Sequence, residues 1–464
     1  MKPKILILIS AIIILALVSK LIFLDLRPLH HDEGVNYFFV KKIITGQGFS
    51  YDPTNYHGPF YFFLLALSFI ILGVSEFSLR FPAALAGIFL IATVLFLNFK
   101  DKINNYKLAI LLILSPSLLY YSRYSIHESW FILFSFFSLY FLNKVIEEKN
   151  LENLPFLAVF LALAFATKET AIILLFAFFI IILFNIKEIK KISFKKEKDI
   201  LIISAVIFIL IWIIFFTSFL TNLQGLSDSI KTFQPWTSTG IEGKGHEKPI
   251  YYFLKLIIKY EFPFFILSIA GVYLYFKKEI KENNKREKIE KNLFIKNSII
   301  WFLVFLIIYS LIPYKTPWLV INITLPMILL SAYALEKIKF KKIIFIISII
   351  YLLLTSIYLN FIIPWQSQNE LAYVHTDKNI LNLVNEINLN AAPDSKILIL
   401  AKDYWPLPFY LDKYKVFYLE ADFDEKYLKE YELVIVQERF IGEMKTTNLG
   451  PYTLRSGVKV RLVG

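Results

Sequence analysis

The sequence predicts a polytopic α-helical membrane protein of about 11 spans, with a re-entrant or interfacial helix and a small extracytoplasmic α/β domain at its C-terminus. Three observations carry that expectation. Of the 464 residues, 57% are hydrophobic and only 19% charged, with a mean hydropathy of +0.59, a balance that soluble domains do not show. Apolar runs long enough to cross a bilayer recur throughout residues 1–363. From Pro364 onward charges become frequent and apolar runs shorten to strand length, which separates a membrane domain, 1–363, from a soluble domain, 364–464.

The first run, Ile5–Leu24, is preceded by Lys2 and Lys4 and followed by no small-residue cleavage site. It reads as a retained signal anchor with a cytoplasmic N-terminus. Further apolar runs follow at 81–99, 108–122, 129–142, 154–167, 170–186, 199–220, 262–276, 298–313, 318–335 and 342–363. A shorter run at 59–74 decides the topology, because its crossing would move every later loop to the other side. If it stays at the outer interface, the cytoplasmic segments are 1–4, 100–107, 143–153, 187–199, 277–296 and 336–342. These hold 25 Lys or Arg against 12 Asp or Glu, while the rest of the chain holds 25 of each, so the whole net charge of +13 lies on one side. If it crossed, Lys187–Asp199 and Lys277–Lys296, with 6 and 8 basic residues, would have to be translocated. The expected topology therefore keeps 59–74 out of the span count and puts the C-terminus outside.

In the tail, Asp377–Ile387 reads as an amphipathic helix. Lys396–Ala401, Lys415–Leu419 and Leu433–Val436 read as strands, and Tyr452–Leu454 with Val458–Leu462 as a hairpin around Ser456-Gly457. Its 12 basic and 14 acidic residues carry no signal for nucleic acid, and no glycine-rich phosphate loop is present. The absence of cysteine excludes disulfides, thiolate nucleophiles and Cys-ligated metal centres.

With the sides assigned, the chemically useful groups gather in the outer loops. All six histidines, His30, His31, His57, His127, His246 and His375, fall on that outer side. The first loop carries His30-His31-Asp32-Glu33-Gly34 and Asn55-Tyr56-His57-Gly58-Pro59. Between them Val35–Ile44, with Gly46 and Gly48 beyond, reads as a short helix lying on the membrane. Titratable groups directly after a span suit a site, and equally an interfacial N-cap at Asp32. Arg123 to Glu128 and Thr167-Lys168-Glu169-Thr170 are squeezed between apolar runs, where a charge costs up to about 3 kcal/mol and needs a partner or a wet cavity. An Arg123–Glu128 pair tying two helices meets that need as well as a site does. His246, flanked by glycines, suits a loop as much as a ligand contact. Lys315, in Pro313-Tyr314-Lys315-Thr316-Pro317-Trp318, suits interfacial snorkelling as much as anion binding.

Carboxylates and cations facing one membrane surface suit transfer from an anionic lipid-linked donor. A carboxylate deprotonates the acceptor hydroxyl, and cations at Arg123, Lys168 and Lys315 hold the leaving phosphate. Packing Asp32 against Glu33 would raise the pKa of one of them and make it a better base. Histidine and carboxylate equally suit a divalent metal, and the metal question stays open.

The motifs resemble a known family. Asp32-Glu33 after the first span, Tyr56-His57-Gly58-Pro59, Leu79-Arg80-Phe81-Pro82, Ser115-Pro116 and Tyr121-Ser122-Arg123 ahead of Glu128 resemble the C-superfamily membrane glycosyltransferases. Within it they look most like the glycosyltransferase-39-like group of protein O-mannosyltransferases and lipid A aminoarabinose transferases. His30-His31-Asp32-Glu33-Gly34, Thr167-Lys168-Glu169-Thr170, Tyr314-Lys315-Thr316-Pro317-Trp318 and Asp403-Tyr404-Trp405-Pro406-Leu407-Pro408 are similar to an archaeal subfamily labelled flippase-activity-associated. The resemblance implies inverting transfer of a sugar from polyprenyl (dolichyl) phosphate to a glycan, lipid or protein acceptor outside the cell. By position it implies catalytic roles for Asp32, Glu33 and Glu128, where relatives often have Asp at the last. Lys315, Arg123 and Lys168 then bind the donor phosphate, and His31, His57, Tyr56, Glu169 and His246 the substrate. His57-Gly58 departs from the charged pair of the aminoarabinose transferases.

The alternative is a non-catalytic transporter or flippase-associated protein for lipid-linked sugars. Such proteins place ionisable groups near mid-span, usually within internal repeats, and neither feature is seen here. Trp405 and its prolines suit docking of the tail onto the catalytic face, or a role within the tail alone. A cysteine placed at Ser193 or Asn284 in this cysteine-free chain is expected to resist a membrane-impermeant thiol reagent in intact cells; rapid labelling there overturns the orientation.

Overall fold

The computed structural model describes residues 3–97, 99, 103–285, 292–419, 430–440, 449–454 and 458–463, with backbone alone at 279–285, 449 and 463. The expected Ser456-Gly457 turn and residues 286–291 of the expected 277–296 loop lie outside the described residues.

The membrane domain runs α1 (Pro3–Leu21), α2 (His31–Ile44), α3 (Pro59–Leu72), α4 (Glu76–Phe96), α5 (Asn105–Leu114), α6 (Pro116–Ser122), α7 (Glu128–Glu148), α8 (Leu154–Thr167), α9 (Ala171–Phe184) and α10 (Ile186–Ile189). It continues through α11 (Lys198–Phe216), α12 (Gly225–Lys231), α13 (Phe233–Glu242), α14 (Tyr252–Tyr260), α15 (Phe262–Lys285), α16 (Leu293–Leu311), α17 (Ile321–Lys337) and α18 (Lys341–Ile357). Seven described segments are helical, long and apolar enough to cross a membrane, and four shorter apolar helices accompany them. The expected run 108–122 is two helices, because Pro116 has no amide hydrogen to continue α5 and Ser115 starts α6 afresh, its Oγ accepting from the Leu118 amide.

Burial separates the helices by environment. Every residue of α17 from Ile321 to Leu335 is buried, with α15 and α16 as its largest neighbours. In α11 only Ser204 and Phe216 are buried, so most of its apolar surface away from α8 faces outward, as a lipid-facing helix requires. Small residues Ala158, Ala162, Ala164 and Ala166 let α8 approach its neighbours closely, and its main partners are α7 and α11.

Helix α3 begins and ends at the same end of the bundle. Its first turn is tied to the α8–α9 turn by the Gly58 amide on the Thr167 carbonyl (3.1 Å). Just beyond its other end, α4 starts with Arg80 bonded to the Leu24 and Arg27 carbonyls (3.0 and 2.9 Å) at the exit of α1. Both ends of α3 thus lie at one end of the bundle, as the charge distribution predicts. The loops expected in the cytoplasm meet at the other end, where Lys107 pairs with Glu336 (2.6 Å) and Lys149 with Glu188 (3.8 Å). The expected long loop 221–261 instead folds into α12, α13 and α14. In α14, Tyr252, Phe253, Leu256, Ile257 and Tyr260 are buried at helical spacing, a period readable in the sequence.

The tail contains α19 (Ile380–Asn390), β1 (Lys396–Leu400), α20 (Leu407–Tyr410), β2 (Lys415–Leu419), β3 (Leu433–Gln437), β4 (Leu449–Thr453) and β5 (Lys459–Val463). The sheet order is β2-β1-β3-β5-β4, with β1 parallel to β2 and β3, and β5 antiparallel to β3 and β4. Ile380, Leu383 and Ile387 of α19 share a core with Ile397, Ile399 and Leu462 of the sheet.

A Cβ on Gly271 of α15 would lie 2.5 Å from the Leu330 carbonyl oxygen of α17. Gly271→Val is expected to destabilise the protein by about 1–3 kcal/mol, read as a lowered unfolding midpoint in detergent; an unchanged midpoint contradicts this packing.

Candidate active site

The loops at the α3 end of the bundle enclose a cavity of about 440 Å³. The N-terminal turn of α2, residues 54–57, the starts of α7 and α9, α13, and the 312–319 turn build its wall. Of the expected site residues, His31, Asp32, Tyr56, His57, Glu128, Lys168, Glu169 and His246 line it.

Local hydrogen bonding places them. Helix α2 starts one turn earlier than expected, and its N-cap is His30, not Asp32. The His30 Nδ1 accepts from the Asp32 amide (3.0 Å), while the His30 amide donates to Glu33 Oε2 (3.0 Å). The ring must then carry its proton on Nε2, which donates to the Tyr373 carbonyl (3.0 Å). Burial lowers the His30 pKa to about 4, so the imidazole is neutral at physiological pH. Asp32 sits in the first turn of α2, with a carboxylate oxygen 3.9 Å from His30 Nδ1 and a side chain 37% exposed.

The opposite wall carries an alternating charge array. Glu128 opens α7, and its carboxylate accepts from the Lys168 ammonium in the α8–α9 turn. Glu169, the next residue, faces His57 at 3.3 Å. Burial disfavours the charge on Lys168, but Glu128 and Glu169 outweigh it and raise the pKa, so the ammonium persists. Burial likewise works against Glu169, and Lys168 with His57 overrides it, holding the carboxylate ionised. Backbone pairing of His57 with Lys168 locks the two loops together. His246 bonds the Tyr373 hydroxyl through Nδ1 (3.0 Å). Among the described residues no group of three or more His, Asp or Glu is disposed to hold a metal ion.

Three expected site residues lie off the cavity wall. Glu33 is fully buried and forms a bidentate pair with Arg80, Nε to Oε1 and Nη2 to Oε2, both 2.7 Å. Burial opposes its ionisation, but Arg80 prevails and lowers the pKa to about 2. The expected raising of one acid by its neighbour is therefore not realised on Glu33, whose charge is neutralised elsewhere. Arg123 makes no ion pair with Glu128; its guanidinium caps the end of α1, donating to the Ile22 and Phe23 carbonyls (both 2.7 Å). Lys315 is buried with its ammonium on the Ile312 carbonyl, although its neighbours Tyr314 and Thr316 do line the cavity.

Arg80 is the functional neighbour that sequence reasoning named without giving a role. An arginine opening an apolar span demands an internal partner, and that demand was the readable signal. The tail also contributes. Trp405 and Pro406 pack so closely on Gly34 of α2 that an added Cβ would lie 3.0–3.1 Å from them, and Asp403 approaches His31 at 3.6 Å. The Asp403–Pro408 motif thus docks the tail on the helix that carries Asp32.

Removing one partner of the buried pair strands a charge, so Glu33→Gln and Arg80→Met are each expected to cost about 3–5 kcal/mol. The double variant is expected to lose less than the sum of the two, measured as thermal unfolding in a double-mutant cycle; additive losses would show that the pair is uncoupled.

Residues 56–215 match the family of dolichyl-phosphate-mannose-protein mannosyltransferases. The fold is shared with ArnT from Cupriavidus metallidurans, solved bound to undecaprenyl phosphate. The TM-score is 0.66 at 12% identity, covering 99% of this chain and 98% of that one. The apo form of ArnT aligns with a TM-score of 0.65 at 12% identity, over 99% and 97% of the two chains. The Saccharomyces cerevisiae protein O-mannosyltransferase Pmt1–Pmt2 complex, bound to its sugar donor, aligns at TM-score 0.38 and 17% identity over 48% and 34%. No curated protein matches the chain by sequence. The chain thus shares the fold of ArnT, and its segment 56–215 matches the mannosyltransferase family.

Proposed function

We propose that the cavity transfers a hexosyl or pentosyl group from a polyprenyl (dolichyl) phosphate to an acceptor hydroxyl on the extracytoplasmic side, with inversion. The observation that supports this most is the meeting of Asp32, the Glu128–Lys168 pair and the Glu169–His57 pair in one cavity at the end of the apolar helices.

In this reading Asp32 is the base. Its carboxylate takes the proton of the acceptor hydroxyl as the oxygen attacks the anomeric carbon, and the carbon–oxygen bond to the phosphate breaks on the opposite face. The electron pair leaves on the phosphate, which gains a full negative charge. Lys168, kept cationic by Glu128 and Glu169, is the group that stabilises that charge. Arg123 and Lys315 are left out of this role, because backbone carbonyls already engage them. The Glu169–His57 pair, with Tyr56, His31 and His246, faces the sugar, where carboxylate, imidazole and phenol can bond hydroxyls. The extracytoplasmic assignment rests on the basic loops, which gather at the other end of the helices.

Membranes containing the protein, supplied with radiolabelled polyprenyl-phosphate sugars, are expected to release label from the lipid to an acceptor. Asp32→Asn is expected to lower that rate by about 10²–10⁴-fold with normal protein levels, and Lys168→Gln to lower it strongly. Lys315→Met is expected to retain most of it. Full transfer by Asp32→Asn rejects it as the base, and loss confined to Lys315→Met reassigns the phosphate contact.

A further inference from the structure

A second cavity, of about 880 Å³, adjoins the first. It lies between residues 248–255 and the linker 365–377 that leads into the tail, with Thr453 of β4 also on its wall. Tyr373 and Val374 line both cavities and so form the partition between them. We propose that this groove binds the sugar chain of the acceptor, a neutral oligosaccharide whose terminal hydroxyl reaches past Tyr373 to Asp32. The proposal rests on the transferase reading and supplies the acceptor class that it leaves open.

The charge on the wall selects against anionic ligands. Lys248 and Lys255 face Glu370 and Asp377, two charges of each sign. Both cations are engaged, Lys248 over the Tyr373 ring (5.2 Å) and Lys255 on Glu370 (2.7 Å). A phosphorylated headgroup would have to break these pairs to gain charge-assisted hydrogen bonds. What the wall does offer is aromatic and amide surface. Tyr251 is 60% exposed, and Trp365 stands on the linker beside Gln366 and Gln368. A sugar ring presents a C–H face that packs on such rings, and hydroxyls that both donate and accept, as carboxamides do.

Two wall residues also hold unused hydrogen-bonding capacity. Gln366 Oε1 has no partner, and neither has Nε2 of His375, a residue only 7% exposed. Unpaired polar atoms at that depth are costly unless a ligand or water meets them. The groove is within the size range of small-molecule sites, about 300–1,000 Å³, and holds more than one sugar ring.

Binding can be read without donor or turnover. Maltohexaose, cellohexaose and an α-mannohexaose, added to the purified full-length protein in detergent, are expected to show saturation-transfer NMR signals for at least one of the three. Gln368→Ala and Ser367→Trp, on exposed linker positions, are expected to weaken that binding by about tenfold or more, with the thermal unfolding midpoint unchanged. Ser367→Trp acts by occupying the groove, so it reads the site even where a truncation fails to fold. An acidic phospholipid vesicle and an unglycosylated Ser/Thr-rich peptide serve as the competing probes. Oligosaccharide signal lost in both variants supports the groove, on a glycan carried by either lipid or protein. No oligosaccharide signal in the native protein, signal unchanged in the variants, or binding of vesicle or peptide alone overturns it. Absence of label transfer from polyprenyl-phosphate sugars would count against the transferase reading, leaving the sugar-binding result to stand or fall separately. For source, label transferred in an acceptor assay to a glycolipid fraction or to a glycoprotein fraction distinguishes the two.

Discussion

The buried pair of Glu33 and Arg80 joins the parts of the molecule that have to be held together for a site to exist. Arg80 reaches from the first turns of α4 to Glu33 on α2 and to the carbonyls of Leu24, Arg27 and Pro28 at the exit of α1. Glu33 in turn accepts from the Ser125 amide ahead of α7 (2.9 Å) and from the His30 amide. One carboxylate therefore sets the start of α2, the loop before it and the turn that presents Glu128. Asp32 is the neighbouring residue, so its place at the cavity is a consequence of this pair. Two fully buried charges are tolerable only because each is met by several hydrogen bonds.

The remaining charges near the outer interface divide by the same rule. A cation there needs a partner, and three kinds of partner occur. Arg123 uses the orphan carbonyls at the end of α1, and Lys315 a carbonyl of its own turn. Lys168 uses a carboxylate that is itself on the cavity wall. Of these three, Lys168 is the one on the wall of the first cavity, with Glu128 and Glu169 sustaining its charge. The availability of a cation at the cavity depends on that difference in partner, not on the number of basic residues.

Periodicity and charge made much of this legible. The apolar runs located the helices to within a few residues, since burial in lipid leaves few alternatives to a helix. Loop charge put both ends of α3 on one side, where the structure has them at one end of the bundle, and the strands of the tail followed from their alternation. His57, Lys168, Glu169 and Glu128, read as polar residues beside or between apolar runs, do line one cavity. Glu33, Arg123 and Lys315 show where that reading stops. It assigns a polar residue to the outer end of the bundle, but cannot tell whether its side chain turns to the cavity or to a backbone carbonyl a few ångströms away.

The membrane class, the helix positions, the common end at which the polar loops gather and the α/β character of the tail could be read from the amino-acid order alone. Each of these depends on local composition, because hydrophobic length and charge act residue by residue. Which of two adjacent acids faces the cavity, which cation lines it, and how Trp405 seats the tail on Gly34 emerge from the folded packing. They depend on partners distant in the chain, Arg80 for Glu33 and Glu128 for Lys168, and a buried charge takes its role from the partner that satisfies it.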